Sequence, residues 1–228
     1  MKEARSLPLL YRAAKSGVFG NVLKYDSGCF LDAMFVFVEG VPSPEGIAAL
    51  KARFTMRPLV AMTSEWEEYI RSNFPEAHTL KRWMMKPADR FDIAGKAAVP
   101  EGFEASAFDE LAFDAKPFSH GENYLSFEDF SRRGAGGVVR HGEKIAASAS
   151  SFLSFENEVE LDVSTEEAYR GRGLATACVS VMLAQCMEKG LTVHWDAQNE
   201  ISRRLAEKFG FEVEACYTVY VLPVRAKA

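Results

Sequence analysis

The hydrophobic pattern changes period once in a short span of the chain's second half. Val159, Leu161 and Val163 alternate with Glu158, Glu160 and Asp162, the two-residue period of a half-buried strand. From Leu174 to Lys189 an apolar run rich in Ala, Leu, Met and Val is too long for a strand and predicts a buried helix. The residues between them, Tyr169-Arg170-Gly171-Arg172-Gly173, therefore turn a strand into a helix N-terminus. Glycines let the backbone approach a ligand closely, and the first helical turn leaves N–H donors unpaired. The helix dipole and two guanidinium groups add positive potential, which makes this turn a pyrophosphate site.

Around that turn the pattern predicts further elements. A strand is expected over 103–108, a short helix over 124–133, strands over 136–140 and 144–153 joined through His141-Gly142-Glu143, and a third strand over 157–165. After Gly190, a strand at 191–195 is followed by a helix capped by Asn199 with Ile201, Leu205 and Phe209 inward, then strand sequence from 211 to 222. The first half has its own alternation: a weak helix at 5–16, a strand at 34–38, and a helix capped by Ser43 with Pro44 at its first position. A strand at 59–62 and a helix opened by Ser64 and Glu67 at capping-box spacing follow, then a strand at 80–85. Pro100-Glu101-Gly102 marks a boundary, dividing the chain into a smaller N-terminal α/β unit, residues 1–100, and a second domain, residues 101–228.

Composition changes this picture little. A content of 48% hydrophobic and 26% charged residues is that of a globular protein, and a net charge of −5 with no basic patch argues against nucleic acid as a partner. Cys29, Cys178, Cys186 and Cys216 form no CxxC pair, so free thiols in a reducing compartment are expected, with no metal site. No signal peptide or membrane span is read, and the expected location is the cytoplasm. The turn lacks the Gly-Lys-Ser/Thr ending of a nucleotide P-loop, which discards that alternative.

Arg170-Gly171-Arg172-Gly173-Leu174-Ala175, between a strand and a long helix, resembles the glycine loop of the GNAT superfamily of N-acetyltransferases. Asn199 followed by Leu205 and Gly210-Phe211 is similar to that family's second motif, and Trp195-Asp196-Ala197 resembles the branch that includes zwittermicin A resistance acetyltransferases. The likeness is close over 157–213 and weaker over 101–156. It implies an α/β (α+β) fold with a mixed, mostly antiparallel central sheet flanked by helices, and acetyl-CoA as cosubstrate. Val163, Ser164 and Thr165 would pair through their backbone with the pantetheine arm. The amides of Arg170, Gly171, Arg172, Gly173, Leu174, Ala175 and Thr176 would take the pyrophosphate. Asn199 is either a cofactor contact or simply a helix cap.

Acetyl transfer to an amine needs a group that removes the ammonium proton, and imidazole or a perturbed carboxylate suits that task. His194 is the first candidate base because, in related ribosomal-protein acetyltransferases, a glutamate base has the corresponding place. Glu160 and Asp162 follow as further catalytic candidates or as an acidic lining for a cationic substrate, and Asp196 as a group that orients His194 or binds the ammonium. Ala206 stands where many members of the family carry a tyrosine acid, which leaves Tyr217 or Tyr220, or no dedicated acid, for the thiolate. The expected partner is a small-molecule primary amine of antibiotic-like kind, with no nucleic acid or membrane, and a homodimer is the candidate assembly. The alternative is a non-catalytic CoA-binding module. For the first half, a cover over the substrate groove, a dimer surface and a degenerate second copy of the fold all stay open.

Overall fold

A computed structural model describes residues 7–86, 90–115 and 123–223. The chain divides into two compact units, Met1–Met84 with Glu214–Ala228, and Met85–Val213.

The first unit contains α1 (Leu9–Lys15), β1 (Asn21–Tyr25), β2 (Gly28–Asp32), β3 (Val36–Gly40), α2 (Pro44–Arg53), β4 (Pro58–Ala61), α3 (Ser64–Asn73) and β5 (His78–Lys86). Its sheet is joined by β11 (Glu212–Val221), in the order β1-β2-β3-β4-β11-β5. β1, β2 and β3 pair antiparallel, α2 crosses over so that β4 runs parallel to β3, and β11 pairs antiparallel with β4. Phe30, Leu50, Leu59, Trp66, Ile70 and Phe74 form the core, with Trp66 donating to the Tyr25 hydroxyl at 2.7 Å.

Ser43 caps α2 as expected, accepting the Gly46 N–H at 3.1 Å. The next helix is capped one residue earlier than its sequence suggests. Thr63 is extended, and its Oγ1 accepts the Trp66 N–H, so Ser64 is already helical. The β1–β2 hairpin is not expected from the pattern, because β1 is exposed at three of its five positions and shows no alternation. Gly28 lets β2 approach β3: a Cβ there would lie 2.1 Å from the Glu39 carbonyl oxygen.

The second unit holds β6 (Glu104–Ala107), α4 (Glu110–Ala115), α5 (Phe127–Arg133), β7 (Gly136–His141), β8 (Lys144–Phe155), β9 (Glu158–Thr165), α6 (Leu174–Lys189), β10 (Thr192–Ala197) and α7 (Glu200–Glu207). The strand order is β10-β9-β8-β7-β6, antiparallel except for β9 and β10. The mixed, mostly antiparallel sheet flanked by helices that the sequence implies is the observed fold. α6 presses on one face so closely that a Cβ on Gly137 would lie 2.2 Å from the Cys178 carbonyl oxygen. The other face meets α4 and α5 through Phe108, Phe113, Tyr124, Phe130 and Val138. Residues 85–100 thus cluster with the second unit and the chain from Glu214 with the first, a different partition from a single cut near residue 100. The C-terminal strand goes with β4 because Tyr220 and Val221 take register opposite Leu59 and Pro58.

All four cysteines are free thiols, and burial pushes Cys178 and Cys186 in α6 up to about 12. Among the described residues no helix is long and apolar enough to cross a membrane, and no group of His, Cys, Asp and Glu is placed to hold a metal.

One ion pair anchors the helix that covers the sheet. Asp129 in α5 receives Arg133 Nε and Nη2, both at 2.8 Å, and also the Leu125 N–H at 3.1 Å. Its hydrogen bonds from Arg133 hold the carboxyl well below the usual carboxylate range. A folded-state pKa below the unfolded one stabilises the fold above the unfolded value of about 4, and the contribution fades as pH falls through the folded value. Asp129→Asn should therefore cost about 2 kcal/mol at neutral pH. In urea unfolding the gap to wild type should narrow steadily below pH ~4; a gap independent of pH would show that the charge is not what matters.

Candidate functional site

β9 and β10 pair parallel at only three positions, Thr192↔Glu158, Val193↔Val159 and His194↔Glu160. Both strands continue beyond, to Thr165 and Ala197, without further register between them. Leu161, Asp162, Val163, Ser164 and Thr165 keep their pairing to β8 on one edge, while beyond Glu160 the other edge has no further register with β10 among the described residues. At the point of divergence Glu160, buried, accepts the Asp196 backbone N–H at 2.9 Å. Its carboxylate links the two strands where their ladder has ended.

Directly opposed residues on adjacent strands share a face, and residues alternate between faces along each strand. Val159, Leu161, Val193, Trp195 and Ala197 lie on one face. The opposite face collects Glu158, Glu160, Asp162 and Ser164 of β9 with His194 and Asp196 of β10. Four of the sequence-derived candidates, Glu160, Asp162, His194 and Asp196, are thereby brought to one surface of the sheet around the divergence. His194 Nε2 is hydrogen-bonded to Glu158 Oε2, with both side chains about four-fifths buried. From the sequence Glu158 is one member of an acidic run that could line a site for a cation, with no catalytic part; the parallel register is what places it beside the imidazole.

β8 extends that face. Ser148 is opposite Ser164 and Ser150 opposite Asp162, whereas Ala147 and Ala149 share the α6 face with Val139 and Gly137. Both serines escape a search for titratable groups, although the alternation Ala-Ser-Ala-Ser at 147–150 is a visible signal.

From Thr165 the chain enters the glycine loop through Glu166, whose N–H is donated to the Ala146 carbonyl at 2.9 Å, and a single 3₁₀ turn at Glu167–Tyr169. Arg170 Nε reaches back to the Thr165 carbonyl at 3.3 Å. Gly171 and Gly173 have φ of +79° and +81°, where a side chain is strained, and nothing lies within 4 Å of a Cβ built on either. Gly173 is the N-cap of α6 and offers no side-chain acceptor, so the first-turn amides of Leu174, Ala175 and Thr176 have no cap of that kind. The Leu174 side chain is buried beneath the turn. Arg172 lies 5.8 Å from the ring centres of both Phe103 and Tyr169, and His141 is 4.8 Å from Phe103. Phe103, just before β6, and His141, at the end of β7, carry no local sequence signal for this role.

Asn199 is the N-cap of α7, its Oδ1 accepting the Ser202 N–H at 2.9 Å. The inner face of α7 is rotated from the expected one. Ile201 is 80% exposed, and Ser202 faces inward instead, accepting from Trp195 Nε1 at 3.0 Å. Ala206 is fully buried and brings no hydroxyl. Tyr220 donates its hydroxyl to Glu67 at 2.9 Å and belongs, with Tyr217, to the first unit.

Comparison with known proteins adds the following. The family model for GNAT acetyltransferases matches residues 11–220. YdfB of Bacillus subtilis (strain 168), described as an uncharacterised N-acetyltransferase, is 33% identical over 130 residues, 54% of this chain and 49% of that protein. The matched region thus spans about half of that relative's length. The crystal structure of a GCN5-related N-acetyltransferase-like protein from Streptococcus suis is similar with a TM-score of 0.75 and 26% identity, over 91% of this chain and 90% of that one. A GCN5-related N-acetyltransferase from Kribbella flavida, at TM-score 0.60 and 14% identity over 95% and 96% of the two chains, and a tandem GNAT protein from the clavulanic acid biosynthesis pathway, at 0.57 and 15% over 99% and 91%, share the fold.

The bond from Glu160 to Asp196 has a direct consequence. Glu160→Ala removes a charged acceptor from a buried strand junction and should lower stability by about 2 kcal/mol, measured by urea denaturation, while Asp162→Ala on the more open part of the same strand should cost less than about 1 kcal/mol. Equal losses would mean that the junction is not held by this carboxylate.

Proposed function

Because the chain belongs to the GNAT acetyltransferase family, we propose that it transfers an acetyl group from acetyl-CoA to a primary amine of a small molecule. The observation that carries this reading is the edge of β9 beyond its register with β10, leading into a glycine loop whose helix starts without a side-chain cap. A peptide-like arm fits such an edge by adding backbone hydrogen bonds, as a strand would. The diphosphate fits the loop because positive φ at Gly171 and Gly173 turns the chain over open space and the α6 dipole points there.

Val163, Ser164 and Thr165 would hold the pantetheine arm, and the amides from Arg170 to Thr176 the diphosphate, with Arg172 steadied by Phe103 and Tyr169. Acetyl-CoA, when bound, supplies a thioester whose acyl carbon accepts the amine as the C–S bond breaks. The chain's own groups manage the acceptor. Glu158 orients His194 through Nε2, which suits the imidazole to take the proton that the ammonium must lose. Asp162 and Asp196, on the same face, attract and position the cationic acceptor. Glu160, by bonding the Asp196 N–H, is a positioning residue that keeps the strands apart at the right place. An antibiotic-like acceptor is the finer reading, in keeping with the resemblance of Trp195-Asp196-Ala197 to the zwittermicin A resistance branch. Asn199 serves as a helix cap, and a contact with the cofactor would have to come from its remaining amide group.

Ala206 favours a second reading, a CoA-binding module without turnover, because that buried position supplies no proton to a leaving thiolate. Thiol release on mixing acetyl-CoA with a panel of primary amines separates the two: turnover is expected, and binding of acetyl-CoA without turnover of any amine would select the module. Arg170→Glu with Arg172→Glu should weaken acetyl-CoA binding at least about tenfold in calorimetry with an unaltered circular dichroism spectrum; unchanged affinity would remove the loop from the cofactor site. His194→Gln should lower kcat roughly a hundredfold while acetyl-CoA affinity stays within about twofold, and an unaltered kcat would exclude the imidazole as base.

A further inference from the structure

The polar face of the second unit's sheet contains two groups that acetyl transfer, as described above, does not use. The Oγ atoms of Ser148 and Ser150 are buried and have no hydrogen-bond partner among the described residues. The residues themselves are 1% and 0% exposed. A buried polar group without a partner costs about 1–3 kcal/mol, and two in alternate positions of one strand double that burden. Alanine would fit either place, since Ala146, Ala147 and Ala149 already fill the neighbouring positions of β8. The contrast with Ser151 is plain: its hydroxyl accepts from Tyr124 at 2.6 Å and from the Ala135 N–H at 3.1 Å, as a serine with a structural task does.

Register shows where the two hydroxyls belong. Ser148 opposes Ser164, and Ser150 opposes Asp162, on the face that carries Glu160, His194 and Asp196. Opposed side chains lie about 5 Å apart and alternate ones on a strand about 7 Å apart. The serines are flanked on β7 by Val138 and Gly136, and beyond Gly136 by the rings of Phe108 and Phe130. They therefore form the dry end of a strip whose other end is acidic.

We propose that Ser148 and Ser150, with Asp162 and Ser164, form the acceptor-specificity subsite, and that the acceptor is an elongated amine carrying neutral hydroxyl or amide groups along its length. This rests on the acetyl-transfer reading above. Each serine hydroxyl both donates and accepts, which matches a neutral polar group and gives no advantage to an alkyl chain. Asp162 and its acidic neighbours hold the ammonium end, and the serines read what lies about 5–7 Å further along. A site built to hydrogen-bond a substrate rejects the analogue that lacks the group, because its own buried donors are then left unpaired.

The test is the ratio of kcat/KM for a hydroxylated or amide-bearing amine to that for an alkyl amine of equal length. The comparison is between wild type, Ser148→Ala/Ser150→Ala and Ser151→Ala, with melting temperature measured for each. Wild type should prefer the polar amine, and the double variant should lose at least tenfold of that ratio, through KM, while its melting temperature holds or rises. Ser151→Ala should do the reverse, lowering the melting temperature and keeping the ratio. Turnover with a ratio unchanged in the double variant would overturn the subsite and leave acetyl transfer standing. Turnover of no amine at all would overturn both.

Discussion

Backbone hydrogen bonding is the constraint on which the second unit depends. Every buried N–H and C=O needs a partner, and a parallel pair of strands ordinarily supplies partners along its whole length. β9 and β10 stop doing so after three residue pairs, yet both strands continue. Such an opening is costly unless something fills it. Glu160 meets part of the demand by taking the Asp196 N–H, and the rest is available to a ligand with an amide-rich arm. The same constraint operates at the start of α6, where Gly173 leaves the first-turn amides without the side-chain acceptor that Ser43, Thr63, Ser126 and Asn199 provide to their own helices. The strand divergence and the helix start without a side-chain cap are continuous through residues 165–173, which is the path the proposed acetyl-CoA would follow.

Chemistry is divided from packing by the pleat of the strands. Along β9 the apolar residues go to α6 and the acids to the other side, and β10 repeats the division with Trp195 inward and His194 and Asp196 outward. Because the strands are parallel, His194 is matched with Glu160 by register while its ring reaches Glu158, two residues back along the same face. A one-residue slip would move all of these groups beneath α6, where Cys178 and Cys186 are so well buried that their thiols stay protonated.

The alternation at 158–163 and the length of the apolar run at 174–189 are legible in the sequence because each is a local period that burial on one side enforces. The glycine loop is legible for a related reason: positive φ at Gly171 and Gly173 restricts which residue can stand there. What escapes is whatever depends on register between distant strands. Glu158 beside His194, Ser148 and Ser150 on the acidic face, and Phe103 under Arg172 have ordinary local sequence and acquire meaning only from a neighbour on another strand or loop. The β1–β2 hairpin escapes because its exposed face has no period, and the cap of α3 is displaced because Thr63 and Ser64 are equally good caps until the backbone selects one. Asn199, weighed from the sequence as cap or ligand contact, makes the cap bond in the structure.

The first unit shows what the glycine loop adds, because it contains the same local plan. There too an antiparallel pair, β2 with β3, is followed by a crossover helix and a parallel strand. At the equivalent turn the chain reads Gly40-Val41-Pro42-Ser43-Pro44-Glu45. Ser43 closes the helix start by accepting the Gly46 N–H, Pro44 removes a donor from the first turn, and Glu45 adds a negative charge where an anion would sit. β3 and β4 also keep register at three successive positions, with the Met62 N–H continuing to the Val38 carbonyl just beyond β4. A strand–helix–strand crossover is therefore not in itself a phosphate site. The proposed diphosphate reading rests on three differences: the cap is a glycine, the turn carries arginine in place of glutamate, and the strands part. Of the two crossovers only the one in the second unit shows all three, and it is there that the acidic and hydroxyl groups are gathered.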